Sequence, residues 1–353
     1  MRVAFVGPAQ SGKSSLFAAV AGAAGDPTRP DQAHMAVVKV PDERLDWLAT
    51  LYNPKKFTPA ELEFVDLPGF DLTDEVGRTR AKAHWTTMRQ SDMLLFVVRA
   101  FEDTSVATYR DRVDPTADVG ELASEMLFAD LEQVTNRIEK LEAAIKRPTP
   151  KRDEQIKELA LMQRILGALE NEEAVASQIT NETEAKLVRS FAFLSALPSM
   201  VAVNCGEDQL AGATEEAIGG LPALWLSAKI EQELSELDAE EREMFLADLG
   251  LTASARDRLV RACYEQANLI SFLTVGEDEC RAWTIPAGTD AVTAAEEIHS
   301  DIARGFIRAE TVAYDDLREA GDMKGVKAAG KMRLEGKTYV VQDGDVINFR
   351  FNV

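Results

Sequence analysis

Five apolar runs punctuate the chain, and each hands over to glycine or to a polar residue. Arg2-Val3-Ala4-Phe5-Val6 leads into Gly7, the run at 62–65 into Asp66, and the run at 93–98 (Met-Leu-Leu-Phe-Val-Val) into Arg99. Met200-Val201-Ala202-Val203 ends in Asn204, and Leu224-Trp225-Leu226 ends in Ser227. Such runs lack the alternation of a half-exposed strand. They predict a mostly parallel sheet covered by helices on both faces, an α/β class. A helix over 13–21 opens soon after the first run. Ligands of such sheets bind beyond the carboxyl ends of the strands, which is where these polar residues fall.

Between the third and fourth runs the periodicity changes. Leu127, Leu131, Val134, Ile138, Leu141 and Ile145 are spaced four, three, four, three, four, a heptad seam. Pro148-Thr149-Pro150 interrupts it, and Ile156, Leu159, Met162, Leu166 and Leu169 resume a helical stripe. This predicts an inserted antiparallel coiled-coil hairpin, with two ordinary bundle helices as the alternative. From about Ser271 short β-like runs such as Arg281-Ala282-Trp283-Thr284-Ile285 alternate with turns. Thr338-Tyr339-Val340-Val341 and Val346-Ile347-Asn348-Phe349 flank Gln342-Asp343-Gly344-Asp345. Asp-Gly between such runs predicts a β-hairpin.

Composition narrows the setting. At 353 residues, 46% hydrophobic and 28% charged, the chain is an ordinary globular protein with room for two or three domains. No apolar stretch is long enough to span a bilayer, so no membrane is expected, and Met1-Arg2 passes into chemistry too soon for a signal peptide. Cys205, Cys263 and Cys280 form no metal-binding spacing and read as reduced thiols of a cytoplasmic protein. His34, His84 and His299 likewise show no ligand spacing. The formal charge of -21 argues against broad nucleic-acid binding, and no DNA specificity is expected. Two basic clusters stand against it. One is Lys146, Arg147, Lys151 and Arg152 beside the proline turn; the other is Lys324, Lys327, Lys331, Arg333 and Lys337. Each is either a contact for RNA phosphates or a solvated surface.

Four motifs carry chemistry. Gly7-Pro8-Ala9-Gln10-Ser11-Gly12-Lys13-Ser14, followed by Ser15, fits G-x-x-x-x-G-K-[ST]. Backbone amides from Ala9 to Ser15 would cradle phosphates at the helix start, Lys13 would neutralise the β- and γ-phosphates, and Ser14 would ligate magnesium. Asp66-Leu67-Pro68-Gly69 places an aspartate for the magnesium shell and a glycine amide for the γ-phosphate. Phe70 follows where many GTPases carry a water-orienting glutamine, so that route to hydrolysis is missing. Asn204-Cys205-Gly206-Glu207 stands where a guanine reader would have N-K-x-D. Cys205 replaces the lysine and Glu207 the aspartate, which disfavours guanine. Ser227-Ala228-Lys229 completes the base site.

Together, the P-loop, D-x-x-G followed by a hydrophobic residue, N-x-x-E and S-A-K resemble the Obg-like ATPases, or YchF family. Val40-Pro41-Asp42-Glu43-Arg44-Leu45, Arg99-Ala100-Phe101-Glu102-Asp103, Val113-Asp114-Pro115, Gly305-Phe306-Ile307-Arg308-Ala309-Glu310 and the end of the chain from Leu334 extend the likeness over nearly its whole length. The resemblance implies a G domain at 1–125 and 187–270, the helical hairpin at 126–186 and a ubiquitin-like TGS domain at 271–353. It implies ATP preferred over GTP, magnesium, and association with the ribosome or ribosomal RNA; the chain is expected to be monomeric. It also implies that Cys205 lies at the adenine.

Two departures concern the switches. The family's magnesium-binding threonine falls on Pro30, within Thr28-Arg29-Pro30-Asp31-Gln32-Ala33-His34-Met35. The second switch, Phe70-Asp71-Leu72-Thr73-Asp74-Glu75-Val76-Gly77, is short and acidic where the family has a glycine- and lysine-rich run. The first reading is therefore a slow ATPase acting as a ribosome-associated translation or stress factor, with catalysis assigned to Lys13, Asp66 and Gly69. The alternatives are a non-hydrolysing nucleotide-bound interaction protein and a GTPase.

Overall fold

A computed structural model describes residues 1–22, 33–210, 217–251 and 253–352. The chain divides into two compact units, Met1–Ala36 with Phe64–Ala255, and Val37–Glu63 with Arg256–Val353. Thr28 and Pro30 lie outside the described residues. In chain order come β1 (Arg2–Val6), α1 (Lys13–Ala21), β2 (His34–Lys39), α2 (Glu43–Tyr52), β3 (Lys56–Thr58) and β4 (Glu61–Asp66). Then follow α3 (Glu75–Lys82), α4 (Trp85–Arg89), β5 (Met93–Arg99), α5 (Pro115–Ala144), α6 (Arg152–Glu170), α7 (Glu182–Phe191) and β6 (Ser199–Asn204). α8 (Glu207–Leu210), β7 (Ala223–Leu226), α9 (Ala228–Glu236), α10 (Ala239–Asp248) and α11 (Ala255–Gln266) lead to the last stretch. It holds β8 (Leu269–Thr274), β9 (Glu279–Pro286), α12 (Ala291–Ile298), α13 (Ser300–Arg304), β10 (Phe306–Ala313), α14 (Tyr314–Ala320), α15 (Met323–Ala328), β11 (Arg333–Glu335) and β12 (Asp345–Phe351). No described helix is long and apolar enough to cross a membrane.

The first sheet runs β2-β4-β1-β5-β6-β7. β1, β5, β6 and β7 are parallel, with Phe5 beside Leu95, Val97 beside Ala202 and Ala202 beside Leu224. Every residue of β5 is buried, which explains why that run is apolar without alternation. All five apolar runs are strands, and their carboxyl ends carry Gly7, Asp66, Arg99, Asn204 and Ser227.

α5 begins by a local rule. Asp114 caps it, accepting from the Ala117 amide at 3.0 Å, and Pro115 occupies the first turn. Val119, Leu122, Met126 and Ala129 join the core of the sheet. Further along, Val134 and Leu141 pack with Leu161, Met162, Ile165 and Leu169 of α6, while Leu127, Leu131 and Ile138 are partly buried against them. The heptad seam is therefore the seam of a helical hairpin, whose turn carries Pro148 and Pro150.

In the second unit the sheet order is β11-β10-β12-β8-β9-β3. β8 and β9 form an antiparallel pair, α12 packs its alanines into the core, and β12 returns parallel to β8 and antiparallel to β10. This is a β-grasp arrangement. The hairpin expected across Asp343-Gly344 is corrected. The turn exists, with Gly344 left-handed at φ 81°, but its two arms do not pair. Instead the Ala291 amide donates to the Tyr339 carbonyl at 2.8 Å and the Val341 amide to Thr289 at 3.0 Å. Asp345, at the foot of β12, takes the Tyr339 hydroxyl at 2.6 Å and the Gln342 amide at 3.0 Å. β10 offers β12 a longer ladder than the Tyr339 arm does, and tertiary pairing overrides the local turn signal.

Candidate functional site

The glycine-rich loop leaves β1 at Gly7 and enters α1 at Lys13. Gln10 (φ 64°) and Gly12 (φ 79°) are both left-handed, the alternation that turns successive amides to one side as an anion nest. The N-cap of α1 is Gly12, and among the described residues no side chain caps the first turn, which leaves its amides for an anion. Ser14 and Ser15 are exposed on that turn. Ser11 is buried, and its hydroxyl has no partner among the described residues. A side chain at position 12 would run into the Asn204 carboxamide.

The second motif packs on this loop. Asp66, at the end of β4, is buried and paired with Lys13, whose amine also reaches the Leu67 carbonyl. Burial pushes the Lys13 amine below its ordinary value, and the charge and hydrogen bond of Asp66 push back. The Phe70 amide donates to the Gly7 carbonyl at 2.9 Å, and the Ala9 amide to Phe70 at 3.0 Å. A Cβ on Gly69 would stand 2.9 Å from the Ala9 Cα, so only glycine fits there without a shift. The Phe70 ring is buried and stacks on His84, with centroids 6.2 Å apart.

The base motifs converge on the same loop from the other side. Asn204 Nδ2 donates to the Ser11 carbonyl, and the Ala228 amide donates to Asn204 Oδ1, each at 3.1 Å. A cavity of about 380 Å³ opens here. Gly12, Ser15, Asn204, Cys205, Glu207, Ser227, Ala228 and Lys229 line it. Ser227 caps α9 through the Ile230 amide at 3.5 Å. Cys205 is 2% exposed, and its thiol donates to the Leu226 carbonyl at 3.3 Å. Its side chain therefore points largely into the protein.

Phe101, Glu102, Asp103 and Glu233 also line the cavity, though they belong to none of the four sequence motifs. The first three follow β5, whose end residue Arg99 lies outside the four motifs. Arg99 explains their placement. It is 4% exposed and donates to the carbonyls of Phe101 (3.0 Å), Asp103 (3.1 Å), Val106 (3.3 Å) and Ala107 (3.2 Å). A buried arginine at a strand end is a signal for such a folded-back loop, since its five donors must all be met.

Comparison with known proteins agrees with this geometry. A family model described as a 50S ribosome-binding GTPase matches residues 2–130, and a YchF-type GTPase carboxyl-terminal model, described as a protein of unknown function, matches 269–352. The chain is 39% identical to the ribosome-binding ATPase YchF of Bacillus subtilis, over 99% of this chain and 98% of that one. It is 35% identical to Obg-like ATPase 1 of Oryza sativa, over 100% and 92% respectively. Among solved structures, the YchF GTPase of Schizosaccharomyces pombe superposes with a TM-score of 0.82 at 28% identity, covering 99% of this chain and 97% of that chain.

Proposed function

The chain belongs to the YchF family of Obg-like ATPases, and from that membership we propose that it binds ATP more tightly than GTP, hydrolyses it slowly, and acts as a nucleotide-dependent ribosome-associated factor in the cytoplasm. The observation that carries the nucleotide reading is the Asn204 bridge. One buried carboxamide joins the phosphate nest at Ser11 to the base cavity at Ala228, so phosphate and base sites form one rigid binding unit. Residues 9–15 would take the phosphates. Glu207, at the cavity wall, would read the base.

In this reading Lys13 leaves Asp66 for the β- and γ-phosphates and exchanges one anionic partner for another. Gly69 lies against Ala9, and its amide would meet the γ-phosphate. Magnesium uses one or two protein oxygens, with phosphate and water completing its shell. Ser14 and Asp66 offer that donor set, and the ion would neutralise phosphate charge. Residues 271–353 would form a TGS domain, and the protein would be a monomer. Isothermal titration with ATP and GTP side by side, with turnover measured on the same sample, tests the proposal. Failure to bind either nucleotide sinks it.

A second reading has its own observation. The Phe70 ring is 2% exposed and stacked on His84, so the group at the water-orienting position is packed away. A nucleotide-bound interaction protein that never turns over fits that packing, and the turnover measurement separates the two.

A further inference from the structure

The segment after Gly69 is tied to the long helix α5 by a residue that none of the nucleotide motifs uses. The Leu72 carbonyl accepts from Arg110 Nη2 at 3.1 Å and from Arg78 Nε at 3.3 Å. Arg110 turns its remaining donors on Glu121 of α5, with Nε 2.9 Å from Oε2 and Nη2 bonded to Oε1. The Tyr109 hydroxyl adds a bond to the same carboxylate at 3.1 Å. Two ion pairs extend the join, Arg78 to Glu125 at 3.3 Å and Lys82 to Glu132 at 3.0 Å. Glu121, Glu125 and Glu132 recur at helical spacing on one face of α5.

The backbone at this point is unusual. Arg110 and Asp111 are both left-handed, each with φ 53°. Side-chain-bearing residues persist in that region only where their surroundings over-determine them, and such positions concentrate at working sites. Here the conformation aims one guanidinium at two acceptors on different elements. Only an arginine fork serves both, because a lysine is a single compact charge.

We propose that Arg110 is a positioning residue for the second switch, a strut that fixes the Leu72 carbonyl to Glu121 and so carries the position of the 66–70 loop into the helical hairpin. The inference rests on the nucleotide-binding reading, because it is the γ-phosphate at Gly69 that would move the loop. α5 runs without a break from Glu121 to Ala144 beside the basic turn. A shift at its root therefore reaches the tip as a rigid-body motion.

The test is hydrogen exchange of the full-length protein, with and without a non-hydrolysable ATP analogue whose affinity is measured on the same samples. Arg110→Gly removes the fork while keeping the left-handed backbone at lower cost. Glu121→Gln removes the opposing charge and keeps its shape. In the native protein the analogue should slow amide exchange across 127–170 by about fivefold or more, the low end of ordinary coupling. Both variants should bind the analogue within about threefold of native and lose that response, which a merely structural bond would leave in place. Variants that respond like the native chain overturn the strut, as does a native hairpin that ignores a bound analogue. A native protein that binds no analogue sinks the nucleotide reading, and the strut with it.

Discussion

Asn204 donates its side-chain amide to the carbonyl of Ser11 at 3.1 Å across 193 positions of sequence. The same carboxamide accepts from Ala228, and all of it is buried. Removing one partner from a buried polar set costs about 1–3 kcal/mol. Asn204→Ala is therefore expected to weaken ATP binding by about tenfold or more and to lower stability as well. Asn204→Asp replaces a donor with a charged acceptor facing the Ser11 carbonyl, and should bind worse than the alanine variant. Titration of both with a fluorescent ATP analogue checks this; native affinity in Asn204→Asp would break the proposed bridge.

Lys13 has two roles that a pair of variants separates. Lys13→Ala removes the cation from the phosphate nest and should abolish most nucleotide affinity. It also leaves Asp66, 3% exposed, without its partner. An uncompensated buried charge costs about 3–5 kcal/mol, so the melting temperature should fall too. Adding Asp66→Asn should recover much of the stability without recovering any affinity. Denaturant unfolding beside nucleotide titration reads both quantities, and unchanged affinity in Lys13→Ala removes the P-loop assignment.

Base choice is expected to favour ATP over GTP by about tenfold, or about 1.4 kcal/mol. Glu207 carries its carboxylate one methylene further than an aspartate, and no lysine packs beside the base. Changing Cys205→Lys with Glu207→Asp should raise GTP affinity. Because the Cys205 thiol is committed to the Leu226 carbonyl, Glu207→Asp alone is the cleaner arm, since it leaves that packing intact. GTP binding as tight as ATP in the native protein contradicts the prediction.

Asp118 gives the fold a pH dependence. Burial pushes its carboxyl up to about 6, even though Arg112 stands 2.5 Å away. Its folded value lies above the unfolded one, about 3.9. The fold thus favours the protonated form. The stabilisation is complete below the unfolded value and is lost as pH rises through 6. Relative to Asp118→Asn, which does not titrate, the native protein should gain about 1 kcal/mol between pH 7.5 and pH 5. Urea unfolding of both proteins at the two pH values measures it; a difference that shrinks toward acid reverses the sign and refutes the assignment.

What the sequence made legible follows from where each signal is local. β5 is buried at every position, so its apolar run could only be a strand of a covered sheet. Gly7, Asp66 and Asn204 lie at strand ends, where a parallel sheet gathers its ligand groups. The heptad seam from Leu127 to Leu141 was legible because packing along a helix repeats. Three features were not legible, each because a distant partner decides it. The pairing of β12 with β10 overrides the Asp343-Gly344 turn. Phe101 enters the cavity wall because Arg99 folds its loop back. Nothing in the local pattern of Arg110 shows that Leu72 and Glu121 will meet it, or that its backbone will be left-handed.

The rate of hydrolysis draws the site and the hairpin together. Fast phosphoryl transfer needs an oriented water and neutralised γ-phosphate charge. Phe70 cannot supply the first: its ring is 2% exposed and stacked on His84, and it carries no donor. Pro30 has no hydroxyl to help magnesium supply the second. Intrinsic turnover should therefore be very slow, with acceleration coming from a partner or from a group outside these motifs. The two basic clusters differ as contacts for that partner. In the carboxyl-terminal cluster Lys331 is bonded to Asp316 and Glu319, and Arg333 to Asp345. At the hairpin turn Lys146, Arg147, Lys151 and Arg152 are exposed, and among the described residues no carboxylate pairs with them. Unpaired cations are the ones free to replace counterions on RNA phosphates. Single-turnover hydrolysis with and without purified ribosomes, in the native protein and with all four tip charges removed, decides between the outcomes. Stimulation in the native protein that disappears in the tip variant and weakens with added salt is the expected result. Fast turnover by the isolated protein overturns the argument from Phe70. Ribosomes that neither bind nor stimulate remove the partner. Equal stimulation of the tip variant removes only the tip, and shifts the contact to the residues of the second cluster that no carboxylate pairs with among the described residues, Lys324, Lys327 and Lys337.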